Sequence, residues 1–246
     1  LWTLYYQETG IKKEETNYID GVQEGLWTEW YEDGQKRRER NFKDGERDST
    51  WTTWYENGNK KFLASYSGGK LNGKYIRWYE GGIIKELDGE YLNNKKHKKW
   101  IYWSKNGQKT EEINYDNGVH HGSHIKWFGE KSDQHKKFHI NYKDGKKDGN
   151  WRHWYSSGVD SLKASYANGE KDGHWIWWRK NGLKDKEGFY KKEKKHGLWT
   201  IWNDSTGSAY HKLHEETYVN DAIDGKVTKW YKAVSYTHLT LPTTRH

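Results

Sequence analysis

The side chains best suited to chemistry in this sequence of 246 residues are its 13 histidines. Two groups are closely spaced, His120-His121-His124 and His211-His214, and neighbouring histidines can bind a metal ion. No cysteine accompanies them, and the equivalent places elsewhere in the chain hold Lys, Asp or Gly. We therefore predict no metal site and no cofactor.

Sequence signatures of enzymes are also missing. The chain has no Gly-x-Ser-x-Gly elbow, no phosphate-binding Gly-Lys-Ser/Thr loop and no His-Glu-x-x-His motif. Without cysteine there is neither thiol chemistry nor a disulfide. The sequence predicts a protein that is not an enzyme, so its function must come from a binding surface.

A repeat of about 24 residues would form that binding surface. Its clearest copy runs from Tyr142 to Gly158. Each copy contains two aromatic positions three residues apart, as in Trp151 and Trp154. The second aromatic falls at Tyr5, Trp30, Trp54, Trp78, Trp103, Trp127, Trp154, Trp178, Trp202 and Trp230. Self-similarity at this period indicates an array of small units that stack on their neighbours.

Each unit has the pattern of a β-hairpin. Pairs such as Asp44-Gly45 and Asn57-Gly58 mark tight turns, and runs of about seven residues rich in Trp, Tyr, Thr and Ile lie between them. Pro242 is the single proline, so nothing interrupts strand pairing within the array. We predict an all-β fold: an elongated, twisted, open single-sheet solenoid of about ten antiparallel hairpins, or about twenty strands.

Aromatic rings must form most of the buried surface, because charged residues reach 32% and aliphatic residues are sparse. The second aromatic is nearly invariant among the copies, and an aromatic residue such as Phe42 or Tyr66 closes each unit. We predict that these two positions form a buried ladder. Its tryptophans would be Trp30, Trp54, Trp78, Trp103, Trp127, Trp154, Trp178, Trp202 and Trp230.

The first aromatic position and the residue after the second vary more between copies. Alternation along a strand places the first aromatic on the face opposite the second, and an exposed aromatic stripe is a plausible docking surface. The alternative is that these rings only cover the sheet. The candidate docking residues are Trp27, Tyr31, Trp51, Tyr55, Tyr75, Tyr79, Trp151, Tyr155, Trp175 and Trp199.

The net charge of +8 raises the question of anionic partners. Basic runs occur at 95–99 and 191–196, yet 35 acidic residues are dispersed among the 43 Lys and Arg. A solvated, solubilising surface accounts for this distribution. We therefore expect a protein partner first, an anionic membrane as an alternative, and nucleic acid as unfavoured.

The pattern Tyr-x-Asp-Gly-x-x-x-Gly-x-Trp-x-x-Trp-Tyr-x-x-Gly resembles the MORN-variant repeat, a family that includes bacterial proteins known as YwqK-family antitoxins. Gly145, Gly149, Trp154, Tyr155 and Gly158 carry the resemblance in the clearest copy. It implies an elongated hairpin array that serves as a scaffold or binding module, in some relatives linked to membranes or to neutralising a partner.

A second functional alternative is binding of cell-wall glycan or choline, because the Gly-x-Trp-x-x-Trp-Tyr units are similar to cell-wall-binding repeats. Those repeats are usually shorter than the period found here. The Asp-Gly turns also count against this alternative.

Residues 1–231 are predicted to form the array, and 232–246 have a different composition, typical of a non-native or disordered tail. The chain opens at Leu1 inside a repeat and contains no Met, so we expect the array to be truncated at its N-terminus. The compartment is left open between cytoplasm and cell envelope. A terminal strand also invites edge-to-edge self-association.

Overall fold

The computed structural model describes residues 1–129, 135–207 and 210–231, and the predicted tail at 232–246 lies outside the described residues. Within them the chain forms β-strands and turns but no α-helix, and no helix that could span a membrane. The strands are β1 (Trp2–Tyr5), β2 (Lys12–Thr16), β3 (Tyr18–Ile19), β4 (Val22–Gln23), β5 (Gly25–Trp30), β6 (Lys36–Lys43), β7 (Glu46–Trp54), β8 (Lys60–Ser67), β9 (Lys70–Trp78), β10 (Lys85–Leu92), β11 (Lys95–Trp103), β12 (Lys109–Asp116), β13 (Val119–Trp127), β14 (Lys136–Lys143), β15 (Lys146–Trp154), β16 (Asp160–Ala167), β17 (Glu170–Lys171), β18 (Gly173–Trp178), β19 (Lys184–Lys191), β20 (Lys194–Trp202), β21 (Lys212–Val219) and β22 (Ala222–Lys229).

The sheet is a continuous antiparallel meander in chain order. Twenty strands belong to it, and the long inner strands pair with the strand before and the strand after, as β6 does with β5 and β7. The two short strands β3 and β4 pair only with each other. The sheet is open, which confirms the predicted all-β array of antiparallel hairpins.

One edge of the sheet carries two-residue turns. Asp44 and Gly45 both have positive φ angles, 49° and 76°, as a type I′ turn requires. In the two units with basic runs, other residues stand in place of Asp-Gly. These residues, Asn93-Asn94 and Lys192-Glu193, adopt the same conformation. The turn is therefore retained even where its preferred residues are not.

The opposite edge carries five-residue turns, such as 31–35. The amide of Tyr31 donates to the carbonyl of Gln35 at 2.8 Å, and Gly34 closes the turn with a φ of 84°. The Asp33 carboxylate accepts the amide of Gln35 at 2.9 Å. This local hydrogen bond explains why Asp or Asn precedes Gly in these turns.

A β-bulge interrupts the long strands two residues before the first aromatic. The bulged residue has a positive φ angle, which is 83° at Gly149. The bulge also shifts the pairing register of the two strands. In the pairing of β6 with β7, for example, the shift lies between Glu39 and Asn41 of β6. Two units carry a residue with a side chain at this place, Ser49 with φ 55° and Lys98 with φ 58°. Those two units hold a conformation that glycine adopts without steric cost.

Replacement of Ser49 by Gly should therefore stabilise the array by about 1 kcal/mol, since a left-handed conformation costs an L-residue about that much. The Ser49 hydroxyl bonds only to the adjacent Asp48 carboxylate, so little is lost. The free energy of unfolding in urea measures the effect. The reverse change, Gly149→Ser, is the control and should destabilise. A loss of stability in Ser49→Gly would contradict the assignment of strain to the bulge.

Candidate functional site

One face of the sheet carries a ladder of aromatic rings, and we call it the ladder face. In β5 to β8 it runs from Trp27 through Phe42 and Trp51 to Tyr66, with centroids 5.9, 5.4 and 4.9 Å apart. Further rings continue it at Tyr75, Tyr91, Trp100, Tyr115, His120, His124 and Tyr142, and then at Trp151, Tyr166, Trp175, Tyr190, Trp199 and Tyr218. Many neighbouring rings meet edge to face, a favoured geometry for aromatic pairs.

The first aromatic of each unit, and not the second, joins the closing aromatic in this ladder. Across the two-residue turn Phe42 pairs with Arg47, and Trp51 lies four residues further along the same strand. Alternation therefore places Trp51 on the face of Phe42 and Trp54 on the other face. This placement differs from the prediction, which joined the second aromatic to the closing one. The predicted ladder residues, Trp30, Trp54, Trp78, Trp103, Trp127, Trp154, Trp178, Trp202 and Trp230, are thus assigned to the opposite face.

Burial agrees with the ring contacts. The side chains of Trp100, Trp175 and Trp199 are 1%, 4% and 5% exposed, and their indole N–H groups donate to backbone carbonyls beside the bulge. Trp175 and Trp199 were candidate docking residues, and their burial leaves them no free ring face. The other first-position candidates, Trp27, Trp51, Tyr75 and Trp151, are half-buried in the same ladder.

Glycine is required beneath two of these rings. A Cβ atom at Gly89 would lie 2.3 Å from the Trp100 ring, and one at Gly188 would lie 2.2 Å from the Trp199 ring. Neither glycine has a positive φ, so the close approach alone explains the residue type. Ala64 and Ala164 occupy the equivalent places beside Trp51 and Trp151 and are buried.

Cationic side chains cover the ladder from the solvent side, and we call them the lid cations. They lie 4.3 to 5.7 Å from the centre of a tryptophan ring in their own unit, within the range of a cation–π interaction. The lid cations are Arg47, Lys96, Lys147, Lys171 and Lys195. Their aliphatic stems bury ring surface while the charge stays near water.

In several units the residue after the second aromatic forms a hydrogen bond to the next unit. The Tyr31 hydroxyl donates to the carbonyl of Trp54 at 2.9 Å, and Tyr55 reaches Trp78 at 2.8 Å. Burial raises the pKa of both tyrosines. Tyr79 and Tyr155 make the same contact to Trp103 and Trp178, and the Arg179 guanidinium replaces it at Trp202. The candidate docking residues Tyr31, Tyr55, Tyr79 and Tyr155 therefore make a structural contact that the sequence analysis missed.

The opposite face combines the second tryptophans with ion pairs, and we call it the pair face. A Lys at the start of a strand pairs with the carboxylate three residues later, because a shift of register there brings both to one face. These pairs are Lys12–Glu15, Lys36–Glu39, Lys85–Asp88, Lys109–Glu112, Lys184–Glu187 and Lys212–Glu215. Lys12 and Lys184 also lie over the rings of Trp30 and Trp202.

Two of the histidines lie in the ladder. His124 takes the place of the first aromatic, with its Nε2 atom 2.8 Å from Glu111, and His120 takes the place of a lid cation, 5.0 Å from the ring of Tyr142. His211 bonds to Asn203, at the other histidine group. Among the described residues no group of three or more His, Cys, Asp or Glu side chains is placed to hold a metal ion.

Acid should weaken the array at this unit. Burial, helped by His124 and Lys96, lowers the pKa of His120 below its usual 6.5. A histidine whose pKa falls on folding contributes stability that is complete above pH 6.5 and is lost as the pH drops further. The pKa of Glu111 is lowered mainly by its hydrogen bond with His124, and that stability also disappears in acid.

The variant His120→Lys restores the residue type found in four other units and removes one titrating group. We expect the free energy of unfolding to fall less between pH 7.5 and pH 5 in this variant than in the parent chain, as measured by urea denaturation at each pH. His121→Lys, whose parent side chain is exposed, is the control. An unchanged acid sensitivity in His120→Lys would show that His120 does not contribute.

Comparison with known families agrees with this architecture. The family model of the MORN repeat variant matches residues 23–44, 47–67 and 96–117. Each of these stretches spans strands of adjoining hairpins. No curated protein matches the chain. The match concerns the repeat and does not extend to the resemblance to YwqK-family antitoxins. Three stretches of the chain are therefore similar to the MORN repeat variant.

Proposed function

We propose that this array is a non-catalytic scaffold that binds a protein partner on its pair face. MORN repeats are generally protein- or membrane-binding modules and are generally non-catalytic. Three features of the chain support a protein-binding role on this face. They are the rigidity of the sheet, the coverage of the ladder face, and the periodic tryptophans of the pair face.

Rigidity follows from hydrogen bonds that join successive units at both edges. On the edge with two-residue turns, the amide of Gly69 donates to the carbonyl of Arg47 at 2.9 Å, and Gly169 donates to Lys147 at 2.7 Å. On the other edge the tyrosine hydroxyls perform the same task. A surface held in place before binding loses less conformational entropy when a partner docks.

The ladder face is poorly suited to docking, because its rings already lie between neighbouring rings and lid cations. Trp175, for example, contacts Tyr166 and Tyr190 and lies beneath Lys171. A partner could reach these rings only by displacing the lid.

The pair face presents a half-buried tryptophan once per unit, at an interval of two strands or about 10 Å, and these rings are not packed into a continuous ladder. Tryptophan is enriched at the centres of protein interfaces. This periodic aromatic row, interleaved with ion pairs, is the observation that carries the proposal.

Substitution of pair-face tryptophans tests it. The triple variant Trp54→Ala, Trp78→Ala and Trp178→Ala should reduce recovery of the cross-linked partner at least tenfold, since each lost interface tryptophan typically costs more than 1 kcal/mol. Cross-linking in the native cell extract and quantitative mass spectrometry give the recovery. Hydrogen exchange of the purified array, measured in parallel, checks that the sheet remains folded.

The matched control is the ladder-face variant Trp27→Phe, Trp51→Phe and Trp151→Phe, which keeps an aromatic ring at each place. It should retain the partner. If the control variant lost the cross-linked partner while the pair-face variant kept it, the proposal would be contradicted.

A further inference from the structure

The pair face has an acidic row that runs across the sheet through residues facing one another on neighbouring strands. Asp88 faces Ile101, which faces Glu112 on the next strand, and Thr200 lies between Glu187 and Glu215 in the same way. Each carboxylate of the row forms an ion pair with the Lys that begins its own strand. The row therefore alternates an ion-paired carboxylate with an uncharged Thr or Ile.

The row changes sign on β14, β15 and β16. His139 faces Arg152, and Arg152 faces Lys163, so three basic side chains stand side by side where other units place carboxylates and uncharged residues. Uncharged Ile125 and Ile176 border them. Arg152 and Lys163 are like charges directly opposite one another, an arrangement that by itself destabilises a sheet.

The positive charge here is only partly balanced. Arg152 forms two hydrogen bonds to the Asp160 carboxylate, at 2.6 and 2.8 Å, and Lys163 lies 3.5 Å from the same group. Lys136 begins β14 as Lys109 begins β12, but His139 stands where its carboxylate would be, and Lys136 forms no ion pair with any described residue. Among the described residues, the Asp160 carboxylate thus pairs with both Arg152 and Lys163, and Lys136 has no carboxylate partner.

The cations are accessible and held in position. The side chains of Arg152 and Lys163 are 45% and 46% exposed. Arg152 lies 5.0 Å from the ring of Trp154, and Lys163 lies 5.2 Å from that of Trp178. Burial, and to a lesser extent the charge of Lys136, lowers the pKa of His139, which favours the neutral form of its ring.

We propose that Lys136, His139, Arg152 and Lys163 form a site for an acidic segment of the protein partner. The chemistry of the row points to carboxylates, because six other units pair the Lys at this position with Asp or Glu of the chain itself. The partner's carboxylates would take the place that Asp or Glu holds in those six units. This inference rests on the proposed scaffold function and locates the contact within the pair face.

The chain contains a matched comparison. Lys60 also lacks its carboxylate, since Leu63 stands three residues later, but Leu63 faces Thr52 and Ile76, so no basic cluster forms there. Leu63→Glu and His139→Glu each introduce one carboxylate three residues after a Lys that forms no ion pair within the described part of the chain. Only the second neutralises the proposed site.

The experiment titrates a fluorescein-labelled octaglutamate peptide against the full chain and follows fluorescence polarisation. His139→Glu should weaken binding at least tenfold, a change of about 1.4 kcal/mol. It should leave the urea midpoint equal to or above that of the parent chain, because it restores the ion pair made in other units. Leu63→Glu should bind as the parent does.

Equal weakening by both variants would overturn the site in favour of general electrostatic attraction. Tighter binding of a single-stranded oligothymidylate of the same charge, also lost in His139→Glu, would replace the acidic peptide by nucleic acid. The two proposals fail in different assays. Loss of the scaffold function appears in the cross-linking experiment with the Trp54 variant, and loss of this site appears in the peptide titration.

Discussion

The structure depends on the enclosure of a tryptophan ring between the sheet and a cation of the same unit. A single-layer sheet has no second layer to cover its apolar face. Here the ring of Trp199 lies against Gly188 and Tyr190, and Lys195 covers it from outside at 4.6 Å. This contact explains how a strongly charged sequence with few aliphatic residues folds. The lysines that would suggest disorder in the sequence instead cover the aromatic rings of the core.

The same enclosure recurs along the array. The lid cation, the bulge and the first aromatic occupy four consecutive steps of one strand, as Lys147, Gly149 and Trp151 do in β15. The backbone carbonyl of the lid residue then accepts a hydrogen bond from a backbone amide in the two-residue turn of the next unit, which couples neighbouring units. Stability therefore accumulates from one unit to the next, as in other repeat proteins. A weak unit, such as the one containing His120 and His124, affects its neighbours first.

The sequence was sufficient for the hairpins, the open sheet and the family, because turn residues and aromatic periodicity are local signals. It also contained the correct ladder. A two-residue turn places Phe42 opposite Arg47, and counting four residues onward reaches Trp51 on the same face. The near-invariance of Trp54 was instead interpreted as burial, whereas its backbone carbonyl accepts Tyr31 and its ring lies on the other face.

Other features could not be predicted by counting. The reach of Tyr31 to the next unit depends on the geometry of two turns that are far apart in sequence. The reversal of charge at His139, Arg152 and Lys163 becomes visible only when the strand register aligns them across β14 to β16. The shifts of register at the bulges set which side chains meet across these strands.

The most direct test of this account compares two tryptophans of one unit by urea denaturation. Trp175→Ala should reduce the free energy of unfolding by about 3 to 5 kcal/mol, the usual cost of removing a buried tryptophan. Trp178→Ala, on the half-exposed pair face, should cost clearly less. An equal or larger loss in Trp178→Ala would contradict the ladder face as the core of the array.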